Sequence, residues 1–475
     1  MKKLESIWTA AVQAEGRTAR FAKPAGVLLA LGIAGATALW NVSGGPLCNL
    51  NDIGGWGNRL VFLVMAAAAE ALVLMTAAVW HRGGIARLLL RQGMLALTFV
   101  MSLLAINQKT FFYVQQVQPL VRAMDEGGLG AMAGYSLLSV PMRTLLYLVT
   151  RGPVYDMYPA KLFAIVCFQL LCLMLLRLTE EEMTGGRGDA LLALCLILPQ
   201  GFLSAACAAQ PESAALLLLA AAWMTRRRRI APAVCFALAC ALSGLCLFAA
   251  PWMLKEREKK ERLRFAGVTL LVWLLAMLPA LLAGVPAREA LASPFAAILG
   301  VPPYASGSPN LMGLFPRSAV SEMPEYFLLR RVPALDLETN ATPFYTARHF
   351  ELLMRGLALT GLGGICCSLA WCEKKKIGGP QGALLLIVSV LFWTPGASMA
   401  AWLAADLLCV AAILRSRGLR LPACLILFAT AAGCCYPVTE ETLLRPAFAS
   451  MLIVIALGML AGIFPTPGRK EETHG

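Results

Sequence analysis

Apolar residues fall in runs of roughly 15–22 along this chain, and short polar or basic patches separate the runs. A helix of about 20 apolar residues crosses a hydrocarbon core about 30 Å thick. The runs therefore predict spans near 24–41, 60–80, 90–106, 159–177, 189–206, 212–224, 264–284, 351–371, 382–394, 398–414, 421–436 and 446–464. No large soluble domain interrupts them. The expected fold class is all-α: a polytopic transmembrane helix bundle of about 12 full spans plus one broken-helix hairpin.

Composition agrees with the pattern. The chain is 59% hydrophobic and 14% charged, with a mean hydropathy of +0.70. Soluble domains carry about 25% charged residues, so a soluble fold is excluded. The formal net charge of +14 would suit a nucleic-acid partner. However, most basic residues sit beside apolar runs, as the positive-inside rule requires, and no aromatic-basic interleaving accompanies them. Nucleic acid is not an expected partner. Most of the 15 Cys lie inside apolar runs, among them Cys167, Cys172, Cys195, Cys240, Cys246, Cys366 and Cys367, where a thiol acts as a small hydrophobe. With only 3 His and no CxxC pair, a zinc site is not expected.

The charges also predict a topology. Lys2, Lys3, Arg17, Arg20 and Lys23 place the N-terminus on the cytoplasmic side, as an uncleaved leader to the first span. Arg82, Arg87 and Arg91, then Arg226 to Arg229, then Lys255 to Arg264, then Lys374 to Lys376, Arg415, Arg417, Arg420, Arg469 and Lys470 complete the cytoplasmic set. An arginine costs roughly 2.5–3.5 kcal/mol at the membrane centre, so the quartet at 226–229 stays inside. Residues 230–254 then lie between two cytoplasmic clusters and cross an even number of times. They are too few for two full spans, and this predicts a hairpin of two short helices broken near Ser243 and Gly244.

For the same reason 132–150, although apolar, does not span. Residues 107–158 read as one external region with two helices on or in the outer leaflet, the first amphipathic through Tyr113, Val117, Leu120, Val121 and Met124. A second external region covers 285–350, rich in Pro and Gly. Two such regions beside a broken hairpin suggest a site at the outer face for a substrate that is part lipid and part water-soluble.

Several residues carry candidate chemistry. Glu212, after Gln210 and Pro211, serves as a base, a metal ligand or a helix-start acid. Glu70 and Asp406 are intramembrane acids, which face the bundle interior as functional groups or structural pairs. Arg143 and Lys161 either neutralise a phosphate or snorkel to headgroups. Asn310, in SGSPNLMGLF, positions a polar ligand or makes a turn with Pro309. Tyr304, Tyr326 and Tyr345 suit sugar stacking or an interface belt. No P-loop, GxGxxG, HExxH or nucleophile elbow is present, which argues against soluble nucleotide chemistry.

In order and spacing these features resemble bacterial members of the GT-C superfamily, the multi-span glycosyltransferases that use polyprenyl-phosphate sugars. Lys161-Leu162 matches the Lys-Leu that opens a family span. In LILPQGFLSAACAAQPES, Pro199, Gln210, Glu212 and Ser213 match the Pro, Gln, acid and Ser of an Asn-Pro span ending in Trp-Gly-Gln-x-Asp-Ser. Pro251 matches the Pro that ends the family hairpin. Asn310 and Leu311 match a late Ser-x-Asn-Ala-x-Asn-Leu-Trp segment.

The resemblance covers roughly 88–415. It divides the chain into a leader with two additional spans (1–87), a GT-C-like core (88–415) and two C-terminal spans with a cytoplasmic tail (416–475). The chain also departs from the family. The catalytic Asp position falls near Gln108 or Lys109, the hairpin Lys-Pro-Gln is Ser243-Gly244-Leu245, and the Met-His-Glu-Arg-Tyr motif is replaced around Pro395 to Trp402. In the family the Asp orients or deprotonates the acceptor hydroxyl, so Glu212, Asp125 or Glu126 would have to substitute.

The resemblance implies sugar transfer from a polyprenyl-phosphate donor at the outer membrane face. Gln210, Asn310, Arg143 and Lys161 would be substrate-binding residues, and the requirement for a divalent metal is open. The alternative is a catalytically degenerate member that binds a lipid-linked glycan or scaffolds envelope assembly. A transporter or flippase is a third reading, supported by broken helices but by no inverted repeat.

Overall fold

The structure is a computed structural model that describes residues 22–39, 56–110, 112–133, 138–151, 154, 157–180, 186–255, 257–295, 308–314, 347–375, 377, 379–394, 396–435, 438 and 443–464. These residues form helices, and none of them lies in a strand. In chain order the helices are α1 (Ala22–Leu39), α2 (Trp56–Trp80), α3 (Ile85–Ala105), α4 (Gln118–Gly127), α5 (Val140–Thr150), α6 (Met157–Thr179), α7 (Arg187–Leu196), α8 (Pro199–Cys207), α9 (Glu212–Met224), α10 (Ala231–Leu242), α11 (Ala250–Lys255), α12 (Lys259–Leu282), α13 (Ala287–Ala292), α14 (Ala347–Lys374), α15 (Gly379–Trp393), α16 (Leu403–Arg415), α17 (Arg420–Gly433) and α18 (Pro446–Leu460). Tyr304, Tyr326 and Tyr345 lie outside the described residues.

Among the described residues, five helices are long and apolar enough to cross a membrane: α1, α2, α3, α6 and α12. A sixth span results if α7 and α8, bent by 49° at their junction, count as one. This is the make-up of a membrane protein, but it corrects the expectation of about 12 full spans. Apolar composition does not register where a helix stops. Helix α9 has 13 residues, α10 has 12, and α15 and α18 have 15 each. At about 1.5 Å per residue, 15 residues reach about 22 Å, short of a core of about 30 Å. Pro232 and Pro446 help to set the starts of α10 and α18, since proline suits only the first helical turn.

The bend between α7 and α8 has a local cause. Pro199 lacks an amide N–H and holds Leu198 in an extended conformation (φ −56°, ψ 121°), which ends α7. Helices α2, α3 and α6 share the largest apolar core, where the Phe62 and Tyr158 rings meet at 5.2 Å. At one end of this group Arg91 Nε donates to Asp189 at 2.7 Å and Arg91 Nη1 to Glu180 at 3.2 Å. Arg87 and Arg177 pair with the same two acids. Helices α15 to α18 enclose a second core, and α9, α10, α11 and α12 a third.

The hairpin breaks where the sequence places the break. Helix α10 ends at Leu242, Ser243 is extended (φ −147°, ψ 115°), and a 3-10 turn from Gly244 leads into α11. The freed backbone is covered by the segments around Ser139 and Ser293. Ser139 Oγ caps α5, accepting from Met142 N–H at 3.3 Å, and donates to the Leu242 carbonyl at 2.8 Å. Val140 N–H donates to Ser293 Oγ at 2.8 Å. A Cβ on Gly244 would lie 2.3 Å from the Pro294 carbonyl oxygen, so only glycine permits this approach. Helix α5 itself spans 11 residues, about 16 Å, and is too short to cross.

Candidate functional site

The site begins in an irregular turn. Helix α8 winds out through a π-helical turn, Leu203–Cys207. Ala209 follows in the left-handed region at φ 54° and is fully buried. Ala208 N–H donates to the Leu203 carbonyl at 3.0 Å and Gln210 N–H to the Ser204 carbonyl at 2.9 Å, which closes the turn. A left-handed alanine costs about 1–2 kcal/mol, so the surrounding packing holds it there. The strained turn sets Gln210 in a buried position and delivers Glu212 to the first turn of α9.

A second element reaches this turn from far along the chain. Gln200 Nε2 donates to the Met399 carbonyl at 2.7 Å and to Ser204 Oγ at 2.9 Å. This docks the 3-10 turn Met399–Trp402 against α8. Ser398, just before that turn, hydrogen-bonds the Glu212 carboxyl. The other carboxyl oxygen, Oε2, is buried without a protein partner, as is Gln210 Oε1.

Glu212 lines a cavity of about 90 Å³ that is partly open to the outside. The cavity runs between α9, the broken hairpin and α15. Leu219, Phe248, Trp252 and Val390 stand in its wall, and Ser243 is a second polar group. No Lys, Arg or His lines it.

Asn310 is buried at the next layer. Its Nδ2 donates weakly to the Thr394 carbonyl at 3.4 Å, and its own carbonyl accepts from Ser450 Oγ at 2.8 Å. Trp402 Nε1 donates to Ser308 Oγ at 2.7 Å. Residues 308–314 are thus strapped to the stretch that carries Ser398. The segments holding Gln210, Glu212, Ser243 and Asn310 converge on one region.

The remaining candidates lie elsewhere. Arg143, 1% exposed, donates from Nε to the Leu138 carbonyl and from Nη1 to the Met132 carbonyl and to Glu289, each at 2.7 Å. Burial pulls its guanidinium below the ordinary arginine value, and Glu289 pushes it back. Lys161, fully buried, donates to the Ile106 carbonyl at 2.8 Å and to the Gln108 carbonyl, so it caps the end of α3. Asp125 and Glu126 are exposed on α4 and do not line the cavity. Glu70 is buried on α2 beside Thr37, and Asp406 accepts from Thr430 at 2.7 Å. Among the described residues no group of three or more His, Cys, Asp or Glu is placed to hold a metal ion.

Sequence reasoning missed Ser398 and Glu289. Ser398 stands in PGASMAAW, where the resemblance would put a motif that this sequence lacks, and that was its only signal. Glu289 had none, since nothing in its local pattern pairs it with Arg143. No family model, no curated protein and no solved structure matches the chain.

Proposed function

We propose that this chain is a GT-C-like membrane protein that binds the hydrocarbon part of a lipid-linked glycan beside Glu212, on the non-cytoplasmic side, and serves as a binder or scaffold in envelope assembly. The observation that carries this reading is the cavity: long enough to line three helical elements, almost wholly apolar, and without a cation. Arg143 and Lys161, the residues that would meet a phosphate, already satisfy protein carbonyls. An apolar pocket with few polar groups is the usual make-up of a site for an apolar ligand. The termini lie in the cytoplasm in this reading, and the bilayer and a polyprenyl-phosphate-linked sugar are the partners.

One observation favours sugar transfer instead. Glu212 keeps an oxygen without a partner at the cavity wall, and a buried carboxylate there is placed to accept an acceptor proton. Purified protein in nanodiscs, given a radiolabelled polyprenyl-phosphate sugar, separates the two. The expected result is retention of intact label, about tenfold weaker when Leu219→Trp fills the cavity. Release of sugar that Glu212→Gln abolishes would establish transfer. Equal retention by Leu219→Trp would end the binding reading, and no release of sugar would end the transfer reading.

A further inference from the structure

Two basic clusters that the sequence keeps apart become one surface. Arg226 to Arg229 follow α9, whereas Arg257, Lys259, Lys260, Arg262 and Arg264 lie at the start of α12, and the broken hairpin separates the two groups. Helices α9, α10 and α12 pack together through Ala222, Ala233, Phe236 and Phe265, which brings the ends into register. Arg257 Nη2 donates to the Arg226 carbonyl at 3.2 Å, and Arg262 Nε donates to the Arg257 carbonyl at 2.8 Å. The Arg226 guanidinium lies 5.0 Å from the Trp223 ring centre and that of Arg257 4.7 Å from Phe265. These contacts fix the backbone of the patch.

The remaining cations point away. Arg227, Arg228, Arg229, Lys259, Lys260 and Arg264 are exposed and form no ion pair among the described residues. Glu258 and Glu261 are the acids described beside them. Helix stability does not account for this arrangement, because Lys259 and Lys260 oppose the helix dipole in the first turn of α12. Like charges at this density repel, and an anion would offset the repulsion.

The neighbouring surface says which anion. Helix α12 is exposed along its length, with Leu263 at 77%, Leu271 at 59% and Leu282 at 79%. Trp223 and Ile230 are also exposed at the level of the patch. The cations therefore stand where an apolar, lipid-facing helix leaves the hydrocarbon, beside an interfacial tryptophan. Arginine forks match phosphodiester oxygens in geometry as well as charge. We propose that Arg226 to Arg229 and Arg257 to Arg264 form one docking surface for the headgroups of anionic phospholipids.

Native mass spectrometry of the purified full chain, titrated with phosphatidylglycerol and with phosphatidylcholine of the same acyl chains, tests this. The expected result is several-fold higher retention of phosphatidylglycerol, decaying as ionic strength rises. The combined variant Arg227→Gln, Arg228→Gln, Arg229→Gln, Lys259→Gln, Lys260→Gln brings the ratio close to one. A control, Arg415→Gln with Arg417→Gln, leaves it unchanged. An equal loss in the control, or a wild-type ratio near one or insensitive to salt, overturns the proposal. So does wild-type protein that ignores both lipids and retains poly-glutamate, which would mark an acidic protein partner. The salt dependence of the wild-type ratio decides the question even if the combined variant does not fold.

Discussion

At the residue scale, Arg143 is a charge that the structure uses for shape. Its guanidinium holds the Leu138 and Met132 carbonyls and reaches Glu289 on α13. The partners are unequally buried: the Arg143 side chain is 1% exposed and that of Glu289 27%. Removing the arginine leaves two buried carbonyls without a donor, whereas a stranded glutamate at the edge rehydrates. Arg143→Leu is expected to cost about 3 kcal/mol and Glu289→Gln about 1 kcal/mol. Thermal unfolding in detergent, measured on both variants side by side, checks the order. The sequence showed Arg143 as a cation in an apolar stretch and left open what it served. The answer depends on a residue 146 positions away, and no local pattern encodes such a pairing.

At the element scale, the hairpin was legible and its neighbours were not. Two basic clusters with about 25 residues between them leave length for only two short helices, and Ser243-Gly244 is the weak point in that stretch. Charge and length alone therefore place the break. The close packing that protects it, Ser139 on Leu242 and Pro294 against Gly244, needed the tertiary structure. Gly244→Ala forces a Cβ against a backbone carbonyl that cannot swing aside. About 1–3 kcal/mol of stability is expected to go, as for overpacking elsewhere. Because Ser243, Leu245 and Cys246 line the cavity, retention of the lipid should fall with it. A melting curve and a retention assay on the same preparation report both effects. Helix lengths were the least legible feature, since α15 and α18 are apolar throughout and differ from full spans only in where they end.

At the scale of the whole molecule, the all-helical membrane character follows from composition, and so do the long helices α2, α3, α6 and α12. The proposed orientation makes its own prediction. In intact cells, a single cysteine at Arg228 in a background freed of other thiols should resist a membrane-impermeant maleimide, and one at Glu126 should react. The reverse labelling would turn the molecule over and place the two bridged regions, 129–143 and 283–295, on the cytoplasmic side.

The brevity of α9 has a consequence for the bilayer. From Arg226 back to Glu212 is 14 residues, about 21 Å of helix, where a hydrocarbon layer measures about 30 Å. In the proposed orientation, with the arginines at one headgroup plane, the glutamate sits roughly 9 Å beneath the other. In that orientation the short helices α9, α10 and α15 leave the bilayer thinner beside the cavity than around α6 and α12. Lipids there must shorten or lean, and hydrophobic mismatch of that kind draws such a molecule toward thin membranes.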